Sequence, residues 1–206
     1  MWFCDECLSG VPRVEPPLCI RCGSGLGEST SHLCARCRST PPQIERIRSA
    51  VYSEGALREA IHAFKYEGIT ALATPLANLM VDYWSRRPML VDVVVPVPLH
   101  RGRLRRRGFN QAAMLAREFS HQVHLAVDDV SLQRHRATAA QVDLDAEQRK
   151  ENVRDAFRCV GDELRGKHVL LIDDVCTTGS TLGACAAALR QGGAESVQAL
   201  TLARAR

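Results

Sequence analysis

The sequence predicts an α/β fold: a mostly parallel sheet covered by helices on both faces, preceded by a small cysteine-rich module. Three observations predict it. From residue 43 to 206, strand-like apolar runs alternate with segments of helical periodicity. Two of those runs, 91–98 and 169–172, are almost wholly apolar, as strands buried on both faces are. Residues 1–40 are instead rich in Cys, Gly, Pro and Ser without a sustained period, and Pro41-Pro42 closes them off. The expected units are therefore 1–40 and 43–206.

The elements follow in order. Residues 48–53 read as a short first strand. Over 56–66, Leu57, Ile61 and Phe64 recur at helical spacing, and Leu72, Leu76, Leu79, Met80 and Tyr83 form the apolar stripe of a second helix. The run 91–98 is the next strand. Residues 110–120 read as a helix through Ala113, Leu115, Ala116 and Phe119. The polar stretch 134–150 has no regular pattern and is expected to form a mobile loop. Strand 169–172 leads into a helix over 178–191 that stops at Gly192-Gly193, and residues 196–202 supply a last strand.

Composition narrows the function classes. The chain has 206 residues, 46% of them hydrophobic, and a net charge of +4. That content is too apolar and too weakly charged for a disordered chain. Apolar stretches reach about nine residues, well short of the roughly 20 a membrane helix needs. The opening MWFCDECLSG lacks the basic and apolar regions of a secretory signal, so a cytoplasmic location is expected. In that setting paired cysteines are better used as metal ligands than as disulfides.

Six of the nine cysteines fall within the first 37 residues, in three CxxC pairs. A CxxC turn lets two thiolates reach one tetrahedral Zn²⁺. Cys19/Cys22 and Cys34/Cys37 are separated by eleven residues, and Gly23 follows Cys22, where a knuckle needs a positive φ. These four are expected to form a closed structural zinc site. Cys4 and Cys7 are candidates for a second site. One pair does not close a tetrahedron, so either a partner pair precedes Met1 or they stay metal-free. Cys159, Cys176 and Cys185 have no ligand spacing.

The densest chemistry lies between Val169 and Leu182. An apolar strand ends in Asp173 and Asp174, a hydroxyl-rich loop surrounds Gly179, and a helix begins. Backbone N–H groups of such a loop, with the helix N-terminus, make an anion nest for a phosphate. Thr177, Thr178, Ser180 and Thr181 add hydroxyl donors. Asp173 and Asp174 suit ribose hydroxyls or, through water, Mg²⁺. A capped helix alone would explain one hydroxyl, not two acids and four hydroxyls. No GxxxxGK[ST] motif is present, which excludes a Walker P-loop.

This stretch resembles the PRPP-binding motif of type I phosphoribosyltransferases. By that resemblance Asp173 and Asp174 contact the ribose and are the candidate catalytic residues, and the segment from Val175 and Cys176 through Thr181 holds the 5′-phosphate. Two more segments narrow it. One is PVPL at 96–99 followed by RGFNQ at 107–111. The other is Arg134-x-Arg136-Ala-Thr138-x-x-Gln141, with Arg149, Asn152, Ala156 and Phe157 downstream. With the CxxC pairs, they are similar to the ComF/GntX family over essentially the whole chain. The family implies a zinc ribbon with a second CxxC pair upstream, a phosphoribosyltransferase-like domain with Arg136, Thr138 and Gln141 on a mobile loop, and a role in natural competence beside a helicase-like ATPase and the DNA-uptake machinery.

Between strand 91–98 and helix 110–120, Arg101, Arg103, Arg105, Arg106 and Arg107 put five guanidinium groups into a predicted basic loop. Its position fits a pyrophosphate and its composition fits single-stranded DNA. Lys65 and Tyr66 are expected to extend that surface. His100, His121, His124 and His135 share no spacing and take no role. Two functions stay open: a Mg²⁺-dependent phosphoribosyltransferase whose acceptor pocket is not legible, or a non-catalytic module that captures phosphorylated ribose or single-stranded DNA.

Overall fold

The computed structural model describes residues 10–27, 30–136 and 155–205. Among them the strands are β1 (Arg46–Tyr52), β2 (Val93–Pro96), β3 (Ala126–Val127), β4 (Leu132–Arg134), β5 (Phe157–Cys159), β6 (His168–Cys176) and β7 (Ser196–Arg204). The helices are α1 (Ala35–Ser39), α2 (Gly55–His62), α3 (Ala73–Arg86), α4 (Arg101–Arg107), α5 (Gln111–Val123) and α6 (Ser180–Gln191). One sheet runs in the order β1-β7-β6-β2-β3, with every pairing parallel. β4 and β5 pair antiparallel beside it.

The sheet is buried on both faces, as the apolar runs require. On one face Leu57, Leu76, Met80, Tyr83, Leu115 and Phe119 of α2, α3 and α5 pack on Val94, Leu170, Ile172, Leu200 and Leu202. On the other, Leu182, Cys185 and Leu189 of α6 meet Val95, Leu171, Val197 and Ala199, together with Ile47 and Phe157. Each large side chain buried this way contributes roughly 1.5–3 kcal/mol. No helix among the described residues is long and apolar enough to cross a membrane.

Two expectations are corrected. The basic segment is not a loop but helix α4. It has no apolar period to betray it: Leu104 is 41% exposed and none of its residues is buried. Its ends hold it instead. His100 Nδ1 accepts from Gly102 N at 3.2 Å, and Gly108, at φ 84°, closes the last turn on Leu104 O. Arg105, Arg106 and Arg107 lie in that last turn, where the helix dipole favours cations. Second, Asp173 and Asp174 do not follow the strand; β6 carries them within it and runs on to Cys176. The two-residue β3 and three-residue β4 and β5 are too short to give a readable alternation.

The cysteine-rich segment lies against the free edge of β1. Val14 N donates to Ala50 O at 3.2 Å, Tyr52 N to Pro12 O at 2.8 Å and Ile47 N to Arg21 O at 2.7 Å. Main-chain groups of an exposed edge strand are thereby covered.

Candidate functional site

Strand order reverses between β2 and β6. The chain passes from β2 outward to β3, then returns to β6 and moves on to β7. Open α/β sheets place ligands beyond the carboxyl ends of strands at such a point. A crevice of about 580 Å³ opens there. Pairing of β2 with β6 stops at Pro96↔Ile172, while β6 stays paired with β7 as far as Cys176↔Arg204. Asp173 and Asp174 sit on the stretch that β2 leaves bare.

Asp173 is half-buried and Asp174 is buried. Asp173 Oδ1 accepts from Asp174 N at 2.9 Å, and Asp174 Oδ1 accepts from Val175 N at 2.6 Å. Lys65 Nζ stands 2.9 Å from Asp174 Oδ2. The contact is ionic, since no aligned hydrogen bond from the described residues reaches Oδ2. Lys65 rides on a π-helical turn, Ala63–Glu67, that continues α2, buries Phe64 and ends at Gly68 with φ 71°. Such turns recur at functional sites because they re-aim side chains within a helix. Burial and the neighbouring Asp174 carboxylate push Asp173 up to about 7, against the opposing pull of Lys65 and Arg134.

Beyond Cys176 the chain turns into α6. Gly179 has φ 80°, and a Cβ there would lie 2.8 Å from Ile47 Cδ1, so both backbone and space demand glycine. Thr178 Oγ1 and Ser180 Oγ lie 2.8 Å apart, and Ser180 N donates to Thr178 Oγ1 at 3.3 Å. Every residue from Asp173 to Thr181 lines the crevice. Polar side chains, backbone amides and the N-terminus of a 12-residue helix thus face one space.

Arg103, Arg106 and Arg107 form the opposite wall, whereas Arg101 and Arg105 are exposed and outside it. Arg107 donates to Gln111, and its guanidinium stands 5.1 Å from the centroid of the Tyr66 ring. Arg136 is exposed and does not line the crevice. Thr138, Gln141, Arg149 and Asn152 lie outside the described residues, as do Cys4 and Cys7. Arg58 and His62 of α2 join the lining without a signal in the sequence pointing there, and so does Arg134 of β4, which opens the family-like segment but carries no expected role. Arg134 is buried with its guanidinium 5.3 Å from the Phe157 ring.

The second candidate site is made of sulfur. The Sγ atoms of Cys19, Cys22, Cys34 and Cys37 all lie within 4.8 Å of one another, with Cys22 and Cys34 3.6 Å apart. A tetrahedral zinc with bonds of about 2.3 Å needs sulfurs about 3.8 Å apart, so donor set and spacing fit. Gly23, at φ 70°, closes the first turn by donating to Cys19 O at 3.0 Å. Cys34 caps α1, which carries Cys37. Burial raises the Cys22 thiol, but contacts with Ser24 and the neighbouring thiols outweigh it and bring it down to about 6. Cys37 is pushed up by burial and by Cys22.

With both sites in view, likeness to known proteins places the chain. Residues 92–206 match the family model described as a phosphoribosyl transferase domain. DNA utilization protein YhgH of Escherichia coli strain K12 is 37% identical, over 98% of this chain and 90% of that protein. Competence protein F of Haemophilus influenzae is 32% identical, again over 98% and 90%. The chain belongs to the ComF family. Among solved structures, a glutamine PRPP amidotransferase from B. subtilis, complexed with ADP and GMP, aligns with 63% of this chain and 26% of its own at 20% identity and a TM-score of 0.45. In this ComF protein the phosphoribosyl transferase match begins one residue before β2. Arg58, His62 and Lys65 therefore enter the crevice from residues N-terminal to it.

Proposed function

We propose that this ComF protein binds a 5-phosphoribosyl ligand in the crevice, PRPP being its activated form, and serves the use of incoming DNA. One observation carries the reading: the acid pair, the phosphate loop and the cations of two opposite walls converge on a single space. The loop 177–181 and the start of α6 take the 5′-phosphate. Asp173 and Asp174 take the ribose hydroxyls. Arg103, Arg106 and Arg107 take the pyrophosphate. Asp173 and Asp174 would hold Mg²⁺ through water, and the ion would supply charge neutralisation for the pyrophosphate leaving group. The four cysteines hold a structural Zn²⁺ that organises the module at residues 1–40. The relatives' names, DNA utilization and competence, give the biological direction.

In a transfer reaction the bond from ribose C1 to pyrophosphate breaks, the pyrophosphate keeps the electron pair, and an acceptor bonds to C1. Calorimetry with PRPP and Mg²⁺ tests the site. Binding that disappears in Asp173→Ala with Asp174→Ala supports it, and unchanged affinity sinks it. Pyrophosphate release that depends on one acceptor separates an enzyme from a binding module.

The outward Arg101 and Arg105 favour a second reading, a single DNA strand whose 5′-phosphate enters the crevice while α4 follows its backbone. Strand affinity should then fall steeply with salt, and less steeply once Arg103, Arg105 and Arg106 are Ala. A flat response to both leaves α4 a solvated helix.

A further inference from the structure

We propose that Arg204 couples the four-cysteine site to the phosphate loop, so that filling either one tightens the other. The proposal rests on the crevice reading above and on a metal at the cysteines. Arg204 ends β7 and is 4% exposed. One guanidinium nitrogen donates to the backbone carbonyl of Cys22; the other lies 3.8 Å from Cys176 Sγ, at the entrance to the phosphate loop. Its Nε has no hydrogen-bond partner, and none of the ion pairs among the described residues involves it. A guanidinium buried without an anion is costly, and a Met of similar length would fill the place without that penalty. The position makes sense where two anionic centres flank it. Four thiolates around Zn²⁺ carry a net charge of −2 on the Cys22 side, and a phosphate on the loop lies on the Cys176 side.

A second, steric connection runs beside the polar one. Ile47 N donates to Arg21 O at 2.7 Å, and Ile47 O presses so close to Gly23 that a Cβ there would meet it at 2.6 Å. The same residue's Cδ1 fills the space that Gly179 leaves open. The knuckle at 19–23 thus meets residues 176–179 through one buried cation and one buried methyl group. A metal that fixes the knuckle fixes Arg204 and Ile47, and through them the loop. Coupling between two binding sites is reciprocal, and typical values are about 5- to 150-fold.

Reciprocity supplies the test. PRPP affinity is measured by calorimetry on the full chain, zinc-loaded and after chelation, with circular dichroism confirming that the α/β signal persists. Zinc affinity is measured by chelator competition with and without PRPP. Zinc should tighten PRPP about tenfold, PRPP should tighten zinc by the same factor, and in Arg204→Gln both factors should fall well below that, to the share the Ile47 contact carries, while each site still fills. Arg204→Lys, which keeps the charge, should retain part of the coupling; a purely structural Arg204 would weaken both sites and leave the factors unchanged. PRPP binding that is equal with and without zinc overturns the coupling alone, without any variant. Undiminished coupling in Arg204→Gln removes Arg204 as its carrier. A zinc-loaded protein that binds no PRPP overturns the crevice reading, and the coupling with it.

Discussion

The cysteine cluster and the crevice both concentrate charge, and they settle it in opposite ways. Four sulfurs within 4.8 Å of one another match the ligand set of one tetrahedral metal, which would leave no position for a further ligand. The crevice sets two adjacent carboxylates on an unpaired strand edge, leaves arginines across a gap of about 580 Å³, and ties Asp174 to Lys65 by an ionic contact alone. On the proposed reading, a metal completes the first site and stabilises the fold, whereas the second keeps its charges for a ligand. Substitutions should therefore move stability at the first and binding at the second.

The largest expected effect is on the sulfur side. Cys22→Ser with Cys37→Ser removes half the ligand set. Structural zinc releases roughly 10–16 kcal/mol on binding in zinc-finger peptides, and most of that should be lost. Metal analysis should fall from one zinc per chain to none, and residues 10–27 should become open to proteolysis. Retained metal would show that the cluster is not its site. Acid should release the metal too, since ligation requires thiolates.

On the crevice side, Asp173→Ala with Asp174→Ala should weaken PRPP at least about 100-fold, two charge-assisted contacts being lost, with the melting temperature unchanged or raised. A collapse of stability with binding intact would reverse the comparison. Lys65→Met should act more mildly. It leaves Asp174 buried without its cation, so PRPP should weaken about tenfold and stability should drop by roughly 1–2 kcal/mol. Lys65→Arg should recover part of both, and a Lys65→Met protein with wild-type affinity would take Lys65 out of the site.

The same contrast explains what could be read before the structure. The four clustered cysteines lie within one continuous stretch, 19–37, so spacing alone reports them. The loop 173–181 is likewise contiguous, and so is its strand-to-helix setting. The opposite walls are not. Lys65 faces Asp174 only because α2 ends in a π-helical turn, a deviation that no periodicity announces. Arg134 reaches the crevice from a three-residue strand. The arginine run of α4 is legible in composition, but its helical form is not, because its two caps rather than an apolar stripe hold it. Contiguous sites are legible as motifs, whereas sites assembled by sheet topology become legible only with the register.

The smallest expected effect isolates the tension at Asp173. Burial and Asp174 raise its carboxyl to about 7, whereas an unfolded chain holds it near the ordinary value of about 3.9. Between those values the folded protein keeps a proton that the unfolded chain gives up. Stability therefore falls as pH rises through that window and levels off above it. Asp173→Asn removes the ionisation. Its gain in stability should be near zero at pH 4 and grow as pH rises toward 7 before levelling off, read as a melting-temperature difference that widens with pH, while PRPP affinity drops. A gain that shrinks toward pH 8 would mean the carboxylate is stabilised when charged. The folded protein would then already supply the cation that the crevice reading assigns to the ligand's metal.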